Sequence, residues 1–252
     1  MKTKIIAHRG ASAYRPENTI EAFSLALEQR ADGIELDVHL TKDGRVVVAH
    51  DERLERVSNG TGCINNYTLS ELKELSFNAL LPDQPECRIP TLEEVFDLVK
   101  HSNAIVNVEL KTTEFAYPEL SEKLLKIERE YAMKGRVIYS SFNHYSLLKL
   151  RELDHEAKIG LLYDLGMVDP WVYAKHVSAN AIHPQCNSIA IMPEIVALCH
   201  ENGLMVNVWV VNDRQMMEAM FRCGTDIVIT DYPDEAVACR NSLAIKLGSS
   251  YQ

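Results

Sequence analysis

Short apolar runs, many of them β-branched, alternate along the chain with stretches whose apolar residues recur every three or four positions. The runs IIAHRG (5–10), GIELDV (33–38), VVVAHD (46–51), IVNVELK (105–111), VIYSSF (137–142), KIGLLY (158–163), AIHP (181–184), VNVWVV (206–211) and IVITDYP (227–233) predict strands. The stretches 19–29, 91–100, 120–132, 144–153, 192–203 and 213–224 predict helices, the last two stopping at Gly203 and Gly224. Strand then helix, repeated this often in 252 residues, points to a closed TIM (β/α)₈ barrel in one domain over 1–252. An open doubly wound sheet is the weaker reading, because no GxGxxG or GxxxxGK run is present.

Two places break the alternation. Only HLTKDGR separates GIELDV from VVVAHD, too short for a parallel crossover, so these two runs should form an antiparallel hairpin around Lys42-Asp43-Gly44. Counting back from the turn sets Glu35 opposite His50, to within one residue. Residues 52–88 lose the strand rhythm to polar turns, short helical pieces and prolines, and read as a small cap on one face of the barrel. The closing GSSYQ is expected to fray.

Charged residues interrupt the apolar strands at matching positions. His8 and Arg9 end the first strand, and Glu35 and Asp37 share one face of the second. His50 and Asp51 end the third run, while Asn107, Glu109 and Lys111 share a face of the fourth. Singly, each has an ordinary explanation: a strand-end histidine at the surface, carboxylates in salt bridges, an ion pair within one strand. Together they are costly in a barrel mouth unless they pair or bind an ion.

Three carboxylates, Glu35, Asp37 and Glu109, are hard oxygen ligands suited to Mg²⁺ or Ca²⁺ rather than zinc. Arg9 and Lys111 add fixed positive charge matched to phosphate, and two histidines form a proton donor and acceptor near neutral pH. The set reads as phosphoryl chemistry on a small anionic ester. Trp209 either lines that pocket or fills the core; for Phe142 the core is the preferred reading. Asn18 and Thr19 read as an N-cap, and His183 as a structural histidine at the rim.

A net charge of −10 argues against a broad grip on nucleic acid. No run approaches the ~20 apolar residues of a membrane helix, MKTKIIAHRG lacks a signal-peptide core, and the six cysteines form no CxxC pair. A cytoplasmic protein with free thiols and no stable membrane association is expected; dimerisation is left open.

The segments AHRGASAYRPENT, GIELDVHLTKDGRVVVAHD, RIPTLEEV, VELK and NVWVVN resemble, in order and spacing, the glycerophosphodiester phosphodiesterases of the short bacterial cytoplasmic type. The resemblance runs from residue 5 to about 235. It implies a TIM barrel with a small cap that hydrolyses glycerophosphodiesters, such as glycerophosphocholine and glycerophosphoethanolamine, to sn-glycerol 3-phosphate and an alcohol, with a divalent cation. It makes His8 and His50 the acid–base pair, Glu35, Asp37 and Glu109 the metal ligands, and Arg9 and Lys111 the phosphate holders, with Trp209 at the glycerol end. The order of the two histidines is open, with His8 preferred as the first base. Val210 replaces a threonine common in relatives. The rivals are a lysophospholipase D-like enzyme acting on lipids, for which no amphipathic membrane-binding stretch speaks, and a non-catalytic barrel that binds phosphate esters. An amidohydrolase-type metal enzyme would open with HxH, where this chain has His8-Arg9-Gly10.

Overall fold

The computed structural model describes residues 3–249. In chain order the elements are β1 (Lys4–Ala7), α1 (Ile20–Glu28), β2 (Gly33–Leu40), β3 (Val46–Val48), α2 (Leu69–Lys73), α3 (Leu92–Val99) and β4 (Ile105–Leu110). There follow α4 (Leu120–Glu130), β5 (Val137–Ser141), α5 (His144–Leu153), β6 (Ile159–Tyr163), α6 (Pro170–His176), β7 (Ala181–Pro184) and α7 (Cys186–Ile191). The chain closes with α8 (Glu194–Glu201), β8 (Met205–Val208), α9 (Arg214–Cys223), β9 (Ile227–Thr230) and α10 (Pro233–Ser249). Eight strands are parallel and close into a barrel, β9 pairing with β1 and β1 with β2, while β3 lies antiparallel on β2.

All nine expected strands are present, and so is the hairpin. Val38 faces Val48, and the Ala49 N–H donates to the Asp37 carbonyl at 3.0 Å. Extending that register sets Asp51 level with Glu35, one residue from the expected pairing. Three helices escaped the sequence reading. The helices α6 and α7 are only seven and six residues long, and α10 mixes apolar and polar residues around its circumference. The GSSYQ segment is helical as far as Ser249; the rest lies outside the described residues.

The strands bury both faces, as parallel strands covered by helices must. Outward residues of β2, Ile34, Leu36 and Val38, join the large core under the helices. Inward, Ile6, Ile138, Ile227 and Ile229 pack together inside the barrel. Polar side chains are interleaved with them: Asn107 donates to the Ser140 hydroxyl at 2.9 Å, and Asn207 to His183 Nε2 at 2.8 Å. His183 is therefore not a rim residue as expected but is wholly buried in the barrel, and burial pushes its pKa down to about 3. Its ring fits because position 160 is glycine, where a Cβ would stand 2.1 Å from Nε2.

Residues 52–88 carry a 3₁₀ turn at Ile64–Asn66, the helix α2 with its Thr68–Glu71 capping box, and an apolar cluster of their own built on Leu54, Ile64, Leu72 and Phe77. Arg56 ties this cap to the barrel. Its guanidinium donates to Asp51 at 2.6 and 3.0 Å and to Glu17 at 2.9 and 2.8 Å. Among the described residues no helix is long and apolar enough to cross a membrane.

Two outcomes follow from this packing. Gly160→Ala should cost about 1–3 kcal/mol, read as a lowered Tm, with the loss largely relieved when His183→Ala is added; additive losses would show that the ring is not the obstacle. Against the cost of burial, hydrogen bonds from Arg56 and His50 hold the Asp51 carboxyl down at about 2, and Glu17 is also lowered. Carboxylates with depressed folded-state pKa values stabilise above their unfolded-state values near 4 and lose that contribution as pH falls through the folded-state values. The Tm gap between the parent and Arg56→Gln should therefore be widest near pH 6–7 and narrow towards pH 2–3.

Candidate active site

The strand ends place His8, Arg9, Glu35, His50 and Glu109, with Trp209, on the wall of one cavity of about 90 Å³, and Asp37 and Lys111 stand against Arg9 and Glu109 beside it. That volume is smaller than the ~300–1,000 Å³ usual for whole ligands, so it suits one compact group with the remainder of a substrate outside. The strand β1 stops at Ala7, and Arg9 and Gly10 then take φ of 55° and 85°. A Cβ at Gly10 would lie 2.6 Å from the Ala22 backbone of α1, so glycine here lets the helix pack against the turn. The left-handed Arg9 backbone costs on the order of 1 kcal/mol, offset where its N–H donates to Glu35 at 2.9 Å and its carbonyl accepts from the Asn18 N–H at 2.9 Å.

The strands β2 and β4 pair with Asp37 beside Glu109 and Glu35 beside Asn107. Glu35, Asp37 and Glu109 thereby bring one oxygen each within 4.8 Å of one another. Such crowding has a titration cost. Burial first, then Asp37 and Glu109, push Glu35 well above the usual carboxylate range, and burial with Asp37 raises Glu109 to about 7. Asp37 goes the other way: burial opposes its charge, but Arg9, Lys111 and a hydrogen bond from Asn18 hold it ionised. Its Oδ1 is buried with no hydrogen-bond donor, Lys111 Nζ standing off at 3.7 Å. Three converging carboxylates, one with an unsatisfied buried oxygen and two displaced upward, fit a hard divalent cation.

Each histidine is held at Nδ1 by a carboxylate. His8 meets Asp231 at 2.6 Å, and His50 meets Asp51 at 2.5 Å. Asp231 is fixed in turn by Ser12 at 2.9 Å and Asn212 at 2.5 Å. The His50 carbonyl accepts from His39 Nε2 at 3.2 Å, and Lys111 Nζ lies 3.2 Å from His50 Nε2 and 2.8 Å from Glu109. Burial, with Arg9 and Lys111, lowers the His50 pKa despite Asp37 and Asp51. Arg9 spans the mouth, donating to Glu17 at 2.9 Å with Nε 3.6 Å from Asp37.

Two readings need correction. Thr19 caps α1, accepting from the Ala22 N–H at 3.2 Å, but Asn18 does not share that role: its amide is spent on Asp37. Phe142 is 38% exposed and meets Trp209 edge to face at 5.4 Å on the cavity wall, not in the core. The sequence also gave no notice of Asp231, Glu17, Arg56 and Asn212. Asp231 was within reach, because it directly follows the apolar IVIT as His8 follows IIA. Trp209 stands where expected, its indole N–H donating to the His183 carbonyl at 2.7 Å.

Comparison with known proteins bears on the same residues. The profile described as the Glycerophosphoryl diester phosphodiesterase family matches residues 8–235. A glycerophosphodiester phosphodiesterase of Caldanaerobacter subterraneus subsp. tengcongensis is 46% identical over 238 residues, 94% of this chain and 97% of that one. The crystal structure of a glycerophosphodiester phosphodiesterase from Thermotoga maritima superposes with a TM-score of 0.76 at 32% identity, covering 94% and 98% of the two chains. An Oleispira antarctica phosphodiesterase, solved in complex with the product sn-glycerol-3-phosphate, gives 0.82 at 26% identity over 95% and 97%. A family match over residues 8–235, with a relative 46% identical over nearly the whole of both chains, leaves one conclusion: the chain belongs to the glycerophosphoryl diester phosphodiesterase family.

Proposed function

We propose that the chain is a cytoplasmic, cation-dependent glycerophosphodiesterase that converts compounds such as glycerophosphocholine and glycerophosphoethanolamine to sn-glycerol 3-phosphate and the free alcohol. The observation that carries this is the clustering of Glu35, Asp37 and Glu109 within 4.8 Å of one another, beside a cavity that Glu35, Glu109 and two carboxylate-paired histidines line. The product bound in the Oleispira relative supports the choice of phosphoglyceryl group. Buried free thiols at Cys87, Cys186 and Cys199 suit a reducing compartment. The barrel with its cap acts as one catalytic unit.

A divalent cation held by Glu35, Asp37 and Glu109 would supply positive charge opposite the phosphoryl oxygens. Arg9 and Lys111 grip the same oxygens from this chain's side, and both stay protonated because carboxylates surround them despite burial. One histidine takes the proton of the glycerol 2-hydroxyl as that oxygen attacks phosphorus; the other gives a proton to the departing alcohol. Water then opens the cyclic glycerol phosphate with the two roles exchanged. Asp51 and Asp231 fix each ring at Nδ1 and leave Nε2 facing the mouth, where that of His50 meets Lys111 at 3.2 Å. The Trp209–Phe142 pair offers an apolar wall to the glycerol carbons.

Purified protein with Mg²⁺ or Ca²⁺ should release glycerol 3-phosphate from glycerophosphocholine in an assay coupled to its dehydrogenase, and EDTA should abolish the signal until cation is restored. Activity indifferent to chelation would reject the cation. Asp37→Asn should cost about 10²-fold or more in kcat, the scale of losing one charge-stabilising group, with cation binding weakened in calorimetry.

A further inference from the structure

The rim of the mouth carries aromatic surface that packing does not explain. Of the chain's six phenylalanines, Phe115 and Phe142 alone belong to none of the apolar clusters. Phe142 lines the cavity beside Trp209. Phe115 stands half-buried on the loop between β4 and α4, its ring 6.4 Å from that of Tyr117. Tyr117 anchors this second pair on the side of the mouth where His50 stands. Its hydroxyl lies 3.3 Å from His39 Nδ1, the two rings meet edge to face at 6.0 Å, and His39 Nε2 donates to the His50 carbonyl at 3.2 Å. His39 itself is two residues beyond Asp37 on the same face of β2 and is wholly buried, so Tyr117 roofs the acidic cluster at that edge.

Glu52 reaches the same edge from the cap, two residues after His50, and with burial its charge raises the pKa of the Tyr117 hydroxyl. The carboxylates around it are taken: Asp51 by His50 and Arg56, Glu17 by Arg9 and Arg56. Among the described residues the half-buried Glu52 carboxylate has no hydrogen bond and no ion pair. Two aromatic rings and an unpaired carboxylate at one edge are a setting for a cation.

We propose that Phe115, Tyr117 and Glu52 form the subsite for the alcohol half of the substrate and select a cationic head group, choline or ethanolamine, over a neutral one such as glycerol. This rests on the phosphodiesterase reading above and adds the residues that recognise the alcohol. A cavity of about 90 Å³ holds one compact group, so a phosphoryl group placed there leaves the alcohol outside, at the rim. The nitrogen of choline or ethanolamine then stands a short two-carbon arm from the phosphoryl oxygen. Arg9 and Lys111 are already paired with Glu17 and Glu109, so the uncompensated charge at this edge is the negative one of Glu52. A quaternary ammonium has no proton to donate, and ring faces together with an anion are the partners it can use. A neutral alcohol gains from neither.

The test compares kcat/KM on glycerophosphocholine and on glycerophosphoglycerol, which share the phosphoglyceryl half. The parent should favour the choline ester about fivefold or more. Glu52→Gln and Phe115→Leu should each lose about three- to tenfold on the choline ester, the scale of a partly exposed cation contact, chiefly through KM, while staying within about twofold of the parent on the glycerol ester. Glu52→Lys should reverse the preference. Thermal melts matching the parent establish that the variants are folded. Equal losses on the two esters, variants that leave the choline ester unchanged, or a parent that hydrolyses both esters without preference would overturn the subsite and leave the phosphodiesterase reading standing. A parent that hydrolyses neither ester with cation supplied would overturn that reading, and the subsite with it.

Discussion

The energetic problem at the centre of this protein is the burial of three carboxylates in one barrel mouth. Asp37 and Glu109 are direct neighbours in the β2–β4 register, and Glu35 lies two residues below on the same face. Separately, each would ionise near pH 4; together and buried, they cannot all be charged without counter-charge. Titration answers part of the problem: Glu35 and Glu109 move up while Asp37 remains ionised. Sequence supplies the rest. Lys111 comes from the end of the strand that carries Glu109, and Arg9 from the turn after β1. The PENT segment contributes Glu17 to hold Arg9 and Asn18 to hold Asp37. A loop that looks like ordinary helix initiation is thus committed to the acidic cluster, and a scaffold alone would have no use for so much buried charge.

The irregular hairpin is part of the same solution. The strand β1 has four residues and β2 has eight, so β1 covers only the lower half of that edge of β2 and β3 takes the upper half. Ending β1 early frees His8 and Arg9 to turn into the mouth. Running antiparallel from Leu40 back to Val38, β3 ends on the side towards β1 and brings His50 to the mouth from the other direction. A regular barrel, with a full-length first strand, would have hydrogen-bonded ladder in the place where both imidazoles stand. The cap then secures His50 from outside, because Arg56 grips Asp51 and Glu17 at once.

Much of this was readable before any coordinates, for a physical reason. Charge inside an apolar, period-two run is expensive, so Glu35, Asp37, Glu109 and Lys111 announce themselves by position. His8 and His50 do so by ending such runs. What stayed hidden depends on pairing across the chain. Asp231 reaches His8 over 223 residues of sequence, and Arg56 sits in a polar segment with no period to read. Asn18 was assigned to the helix cap by a local rule that Thr19 alone satisfies. Phe142 shares the inward parity of Ile138 and Ser140 on β5, but only the width of the mouth determines whether that parity means core or cavity wall. His183 was placed too high because four residues of β7 do not reveal the level at which Asn207 meets it.

The polar level beneath the mouth has a consequence for how the site holds its shape. Ser140 and Asn107 line the cavity floor, and Asn207 braces His183, whose carbonyl in turn holds the Trp209 indole. Buried hydrogen bonds of this kind are directional, and a misplaced partner leaves an unsatisfied group costing about 1–3 kcal/mol. The floor therefore resists sliding more than an all-apolar plug of isoleucines could, since dispersion contacts of similar quality exist in many arrangements. The isoleucines interleaved with these residues supply burial, and the polar pairs supply registry. Glu109 stands two residues above Asn107 on the same face of β4, so the acidic cluster is set directly on this braced floor.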